Sequence, residues 1–206
     1  MPFNRRAFSL LELVVYASLL LLLLGGVTMV VVGGVRYLQT GSAYQTAQNE
    51  SLIAMRKLVE DLGRSTAQFR RPASPLSDSD HIIFLSPEPP AGGSDWTYNN
   101  DELQYHFWIC YYWDMGQREL VRARLPVGGT PITRSTIPVP TAPPLANFRP
   151  PANNDVRVIA RGITDFAIND GATAQQLAVR LSSSVATASD KQTTVTTRSL
   201  IRMPNP

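Results

Sequence analysis

Glu12 is the side chain whose chemistry most needs an explanation, because it stands at the start of a long apolar run. Residues 13–35 carry no charge, and their polar side chains are limited to Tyr16, Ser18 and Thr28. A carboxylate inserted into hydrocarbon costs roughly 2.5–3.5 kcal/mol, so such a group is usually paired and usually functional. We therefore expect Glu12 to meet a positive charge in a medium of low dielectric constant.

The apolar run that follows Glu12 is long enough to cross a bilayer, which takes about 20 residues in a helix. Arg5 and Arg6 precede the run, so the positive-inside rule predicts a cytoplasmic N-terminus and export of the rest. A cleaved secretory signal is one alternative, but its apolar core would be shorter and would end at a small-residue cleavage site. An uncleaved membrane anchor of an unrelated type is the other alternative.

Residues 7–12, which read Ala-Phe-Ser-Leu-Leu-Glu, resemble the cleavage signal of type IV prepilins. The resemblance implies that a prepilin peptidase cuts between Ala7 and Phe8 and then methylates Phe8. It also implies that Glu12, the fifth residue of the mature chain, pairs with the positive N-terminus of a neighbouring subunit. The family usually has Gly before the cut, where this chain has Ala7. A buried carboxylate is tolerable when it meets a cation, so the implied pairing would supply the positive charge that we expect near Glu12.

The resemblance implies a structural subunit, a minor pilin or pseudopilin, of a type IV pilus or a type II secretion pseudopilus. Residues 156–166, residues 177–181 and a Thr-rich segment ending at Arg202 are similar to minor pilins and J-type pseudopilins. The implied partners are prepilin peptidase, other pilin or pseudopilin subunits and the inner-membrane assembly platform. The implied location is the bacterial inner membrane, with a periplasmic head, or a surface filament. No enzyme activity, metal or other cofactor is expected.

Two other functions stay open: a competence pilin-like subunit that takes up DNA, and an unrelated single-pass membrane protein with a β-rich exported domain. The net charge is +3, but 17 Lys or Arg face 15 Asp or Glu once Arg5, Arg6 and Glu12 are set aside. Nucleic-acid binding requires a clustered basic face, so this near balance speaks against DNA as a partner.

The pattern after residue 35 predicts an α+β, pilin-like fold, in which the second half of the long helix packs on an antiparallel sheet. We divide the chain into a leader (1–7), a membrane or filament-core helix (8–35), an amphipathic helix (36–71) and a β-rich head (72–206). A stripe of apolar residues three or four apart indicates the face that packs. Its members are Leu38, Tyr44, Ala47, Leu52, Met55, Val59, Leu62 and Phe69. Asp61 is assigned to the polar face, and Pro72 is expected to end the helix.

Period-two alternation predicts the strands of the head. The predicted strands are residues 81–85, 103–113, 119–125, 163–168, 177–181 and 192–201, with turns at 114–117, 169–171 and 188–191. Residues 103–113 and 119–125 are expected to form an aromatic-rich hairpin.

Residues 126–155 hold half of the 16 prolines and show little periodicity, so they predict a long irregular loop. Such a loop is interpreted as a tolerated surface insertion, with a functional segment as the alternative. Five glycines interrupt the helix, at positions 25, 26, 33, 34 and 41. They indicate either close helix packing in the membrane or a segment that unwinds when subunits assemble.

Other chemically capable side chains are interpreted as structural. The single cysteine, Cys110, lies in an apolar run and is expected to be a buried small hydrophobe. His106 is expected to be an ordinary sheet residue, and residues 78–81 (Asp-Ser-Asp-His) a polar turn that lacks calcium-loop spacing. Residues 182–184 are three serines without the glycines that frame a nucleophile elbow.

Overall fold

The computed structural model describes residues 10–65, 70, 78–89, 96–133, 135–136, 141–173, 175–186 and 192–204. Its first element is one unbroken helix, α1, from Leu10 to Gly63. At 1.5 Å per residue, its 54 residues span about 80 Å. Residues 10–42 are all exposed, so this part of α1 stands clear of the described head. By its length and composition, α1 could cross a membrane.

The helix ends earlier than the sequence predicted. The expected end was Arg71, before Pro72, but α1 ends at Gly63 and residues 64 and 65 form a turn. Backbone bonds from Arg64 to Asp61 (3.3 Å) and from Ser65 to Leu62 (3.1 Å) close the last turn. Glycine has the poorest helix propensity after proline, which explains why the helix stops there. Phe69, Arg71 and Pro72 lie outside the described residues.

The rest of the described chain is mostly antiparallel sheet, so the α+β class is confirmed. The strands are β1 (His81–Ser86), β2 (Tyr98–Asn99), β3 (Glu102–Leu103), β4 (Phe107–Asp114), β5 (Glu119–Pro126), β6 (Val156–Arg161), β7 (Ile163–Asp170), β8 (Gln176–Ala186) and β9 (Gln192–Arg202). One sheet has the order β1-β4-β5-β6, a second has β7-β8-β9, and β2 pairs with β3 in a small hairpin. We call the first two sheets A and B.

The predicted aromatic hairpin is present as β4 and β5, which pair from Phe107–Pro126 to Asp114–Glu119. The long strand expected over residues 103–113 is interrupted, however. Leu103 belongs to β3, and the chain then detours through Tyr105, whose backbone exchanges hydrogen bonds with Ile132 (2.7 and 3.0 Å). Alternation alone could not reveal this break, because the segment remains extended on both sides of it.

Strand β6 was not predicted, and Gly162 explains how it is separated from β7. Gly162 has a φ of +69°, and a Cβ there would lie 2.8 Å from the Ser184 carbonyl oxygen. The glycine therefore lets the chain leave sheet A and enter sheet B within one residue. Strand β7 continues to Asp170, so the turn predicted at 169–171 begins only at its last residue. The turn predicted at 188–191 lies outside the described residues.

The face of α1 that packs on the head differs from the predicted stripe. Leu38, Tyr44, Leu52 and Val59 are exposed, whereas the buried positions are Ala43, Ala47, Ser51, Ala54, Met55, Leu58, Asp61 and Leu62. Small side chains let α1 approach β8 closely. The Ser183 hydroxyl donates to the Ala47 carbonyl (2.6 Å) and lies 2.8 Å from the Ser51 hydroxyl. A search for large apolar residues misses such a face.

One core lies where the last four turns of α1 meet both sheets. Met55, Leu58 and Leu62 contribute from the helix, Phe84 and Tyr111 from sheet A, and several aliphatic side chains from sheet B. The rings of Phe84 and Tyr111 stack with centroids 6.2 Å apart.

A second core covers the opposite face of sheet A, and the Pro-rich loop supplies part of it. Ile132 and Phe148, both from residues 126–155, are buried against Trp108, Cys110 and other sheet residues. Phe148 closes a short 3-10 helix, Leu145–Phe148, and is fully buried. The interpretation of this loop as a mere surface insertion is therefore wrong. Cys110 is buried as predicted.

Exchanging one helix residue for aspartate tests which face of α1 packs on the head. Leu62 is fully buried and Leu52 is half exposed. We expect Leu62→Asp to lower the free energy of unfolding by about 3–5 kcal/mol, because it buries a charge that lacks a partner. Leu52→Asp is the matched control and should leave head stability near that of wild type. Chemical denaturation of the full chain in detergent, followed by tryptophan fluorescence, measures both. Equal losses would show that the packing face is assigned wrongly.

Candidate assembly surface

Glu12 lies in the first turn of α1 and is exposed. A carboxylate at this end of a helix suits the partial positive charge of the helix N-terminus. Its neighbours Leu11 and Leu13 are also exposed, at 75% and 64%. Glu12 therefore lies at the tip of the projecting, largely apolar part of α1, residues 10–42, which we call the rod. Ala7 and Phe8, the predicted cleavage and methylation positions, lie outside the described residues.

The rod itself keeps its regular helix through every predicted interruption. Gly25, Gly26, Gly33, Gly34 and Gly41 all lie within α1, and the described chain places no atom against them. Three hydroxyls along the rod bond to their own helix, and the one nearest the head, that of Thr40, donates to the carbonyl of Arg36 (3.0 Å). Ser18 donates to the carbonyl of Val14 (2.8 Å), and Thr28 donates to that of Leu24 (2.7 Å). The rod thus offers apolar side chains and small residues to its surroundings.

A second apolar face continues along α1 beside the head. Ile53 is 57% exposed, and Leu38, which lies in the projecting part of α1, is 71% exposed. Tyr44, Leu52 and Val59 are also exposed, and none of them faces the sheets. Exposed polar residues, including Arg56 and Glu60, stand among them. These apolar side chains are candidates for contact with a partner beside the head.

A buried ion pair fixes the head to the end of α1. Asp61 is 4% exposed at its side chain, and its Oδ2 accepts hydrogen bonds from Arg122 Nε (2.7 Å) and the Tyr111 hydroxyl (2.8 Å). Lys57 Nζ lies 3.2 Å from the other carboxylate oxygen. Arg122 also reaches Glu88 through a bond of 2.8 Å. These contacts satisfy a carboxylate that is otherwise unfavourable near the C-terminal, negative pole of a helix.

Burial and charge act together on the protonation of this cluster. Burial, reinforced by the negative charge of Asp61, raises the pKa of the Tyr111 hydroxyl, so Tyr111 stays a hydrogen-bond donor. Burial alone would lower the pKa of Arg122, but Asp61 and Glu88 outweigh it and raise that pKa. The Arg122 guanidinium therefore stays charged at any physiological pH.

The sequence contained a signal for this pair that was missed. Asp61 follows Ala54 by seven residues and Leu58 by three, so it shares their buried face, and its assignment to the polar face is wrong. Arg122 lies two residues after Leu120 on β5, so both side chains are on the same face of the strand. Leu120 is buried in the helix-facing core. A buried charge needs a partner, so an acidic residue on the packing face of the helix predicts a basic residue on the packing face of the strand that it meets.

The remaining candidate residues have structural contacts. His106 Nε2 bonds the Thr97 hydroxyl, and partial burial lowers the pKa of His106. Asp80 pairs with His81 at 2.7 Å, and the Ser183 hydroxyl docks α1. Burial raises the pKa of the Cys110 thiol, which disfavours a reactive thiolate. Within the described ranges, no three His, Cys, Asp or Glu side chains are grouped to hold a metal ion.

Comparisons with protein-family models, with curated protein sequences and with solved structures find no match for this chain.

Removing one partner of the buried pair should destabilise the head more than removing an exposed partner nearby. We expect Arg122→Met to lower the free energy of unfolding by about 3–5 kcal/mol, because Asp61 is left buried without its main counter-charge. The matched control is Arg161→Met. Arg161 pairs with Glu119 on the neighbouring strand, but its side chain is 76% exposed, so little loss is expected.

A double variant separates the pair from simple loss of packing. Asp61→Leu combined with Arg122→Met removes both charges, and it should be more stable than Arg122→Met alone. Urea denaturation of the full chain measures wild type, Asp61→Leu, Arg122→Met, Arg161→Met and the double variant. If the double variant loses the sum of the two single losses, the two side chains are not coupled.

Proposed function

We propose that this chain is a type IV pilin-like subunit that assembles into a filament or pseudopilus through α1. The observation that carries the proposal is the exposed apolar rod of residues 10–42, which projects from an α+β head and begins with a carboxylate in its first turn. A carboxylate is costly in lipid, and meeting a cation lowers that cost, which favours assembly through Glu12. A neighbouring subunit's N-terminus supplies one.

In this proposal, prepilin peptidase cuts between Ala7 and Phe8 and methylates Phe8. Until assembly, residues 13–35 hold the subunit in the inner membrane, with the N-terminus cytoplasmic and the head on the other side. The inner-membrane platform then moves the subunit into a bundle of like helices. The chain performs no chemistry of its own, because its work is the formation and dissolution of subunit contacts.

Glu12 sets the axial register between neighbours. Its attraction to a new N-terminus is strong in an apolar medium. A hydrogen bond between the two groups forms only when they are aligned. The apolar side chains along the rod stabilise the bundle without fixing a position, since the hydrophobic effect is non-directional. One charged pair among many apolar contacts therefore selects the correct stagger.

The exposed face formed by Tyr44, Leu52, Ile53 and Val59 supports the proposal independently of the N-terminal motif. A membrane anchor needs apolar residues only within the bilayer, whereas these positions lie beside the head. In a filament they pack against adjacent helices. A minor or tip position, in a pilus or in type II secretion, is proposed on the resemblance of the head to minor pilins and J-type pseudopilins.

Neutralising Glu12 tests the proposed role. Glu12→Val should leave membrane insertion and cleavage largely intact, because it removes a costly charge from lipid. We expect it to reduce co-assembly with partner subunits by about tenfold or more, because a buried pair loses one member. Crosslinking in intact cells and sheared-filament fractions measure assembly. If the chain occupies the tip, the defect should appear in the complex of minor subunits.

Thr28→Val is the matched control for this experiment. It also replaces a polar side chain by valine on the exposed rod, but Thr28 already bonds its own helix. It should assemble like wild type. Wild-type assembly of Glu12→Val in every fraction would refute the proposed pairing of the carboxylate.

A further inference from the structure

The outer face of sheet B, which is turned away from the core, carries a groove lined by apolar side chains and two arginines. Residues on this face form rows across the three strands: Ala167, Arg180 and Arg198 in one row, and Asn169, Ala178 and Leu200 in the next. Ala178 is small between larger neighbours, and a groove of about 420 Å³ results. Leu200, which lines the groove, is 62% exposed.

The two arginines in the first row differ in whether a carboxylate of the same chain neutralises them. Arg180 binds Asp165 at 2.7 Å and lies 3.8 Å from Asp78. Arg198 stands directly opposite Arg180, and like charges in such a cross-strand pair repel. Among the described residues, neither Arg198 nor Arg202 forms an ion pair. The groove therefore combines the apolar side chains of Ala178 and Leu200 with one guanidinium, that of Arg198, that forms no ion pair within the described residues.

The small hairpin of β2 and β3 has the complementary chemistry. Its turn residues Asn100 and Asp101 have φ values of 50° and 63°, as a tight two-residue hairpin turn requires. Asp101 is exposed at the tip, and Tyr98, on the adjoining strand, is 60% exposed. The hairpin thus presents an aromatic ring beside a carboxylate.

We infer that the groove on sheet B receives the β2–β3 hairpin of a second copy of this chain. Asp101 of one copy pairs with Arg198 of the other, and Tyr98 packs on Ala178 and Leu200. The two surfaces differ, so the contact is heterologous, and contacts of that type repeat along helical filaments. The inference rests on the proposed assembly function and adds a head-to-head contact to the helix contacts.

Charge and shape favour the hairpin over a nucleic acid as occupant. Asp165 already neutralises Arg180, which leaves too few cations in the groove to follow a phosphate backbone. The apolar side chains of Ala178 and Leu200 suit a tyrosine ring with one nearby carboxylate.

Crosslinking between two differently tagged full-length copies, expressed together in membranes, tests the contact. One copy carries Asn99→Cys and the other carries Thr196→Cys, so a short bismaleimide can join them only between chains. Native Cys110 is fully buried and does not compete. We expect a crosslinked heterodimer with this pair. Replacing Asn99→Cys by Met115→Cys, on a different exposed hairpin, is the control and should give none.

Charge reversal identifies the pairing residues. Arg198→Glu in the Thr196→Cys copy, or Asp101→Arg in the Asn99→Cys copy, should lower the crosslink yield by about fivefold, because an attraction becomes a repulsion. The two reversals combined across the copies should restore the yield. Absence of restoration would overturn the assigned pair.

A helix crosslink separates failure of this inference from failure of the proposed function. Leu13→Cys on both copies reports contact between rods in the same membranes. If the Leu13→Cys crosslink forms and the hairpin crosslink does not, the groove contact is refuted while assembly through α1 stands. If neither forms, both are refuted. Arg198-dependent binding of a single-stranded oligonucleotide, without a hairpin crosslink, would also overturn the inference.

Discussion

The pairing of Asp61 with Arg122 is the constraint on which the rest of this structure depends. It joins the last turn of a helix about 80 Å long to the middle of sheet A, through a contact of 2.7 Å that is shielded from water. A buried pair of this kind contributes little net stability, but its bonds permit few alternative arrangements. The head is thereby held at one position and one rotation on α1, as the proposed assembly function requires.

That rotation decides which side chains remain outside. Ala47, Ser51 and Ala54 face the sheets because only small residues allow the Ser183 hydroxyl to reach the helix backbone. The larger residues Leu52 and Ile53 are consequently turned away from the head. The same arrangement that anchors the head thus leaves these larger apolar side chains exposed, where the proposed assembly contacts would form.

The sequence predicted those features that follow from local pattern. The apolar run predicted the long helix, and alternation predicted the β4–β5 hairpin and the approximate positions of β1, β7, β8 and β9. Features that depend on distant contacts were missed. The end of α1 at Gly63, the detour at Tyr105 and the separation of β6 from β7 at Gly162 all require knowledge of the partner strands. The second core was missed because Ile132 and Phe148 lie in a segment without periodicity.

The candidate site also has features that the sequence predicts and features that it does not. The position of Glu12 in the first turn of a membrane-length helix follows from the sequence. The exposed face at Leu52 and Val59 does not, because the sequence favoured those residues as the packed stripe. A stripe defined by size selects the wrong side when a helix docks through alanine and serine, and only the polar anchor at Asp61 could have corrected the choice.

We propose that the chain matures into an assembly subunit whose N-terminal residue is Phe8. The most direct measurement is the intact mass of the full-length gene product purified from bacterial cells that contain prepilin peptidase. We expect a chain that starts at Phe8 and carries one methyl group on its N-terminus. A mature chain that still begins at Met1, or one that begins beyond Val35, would contradict it.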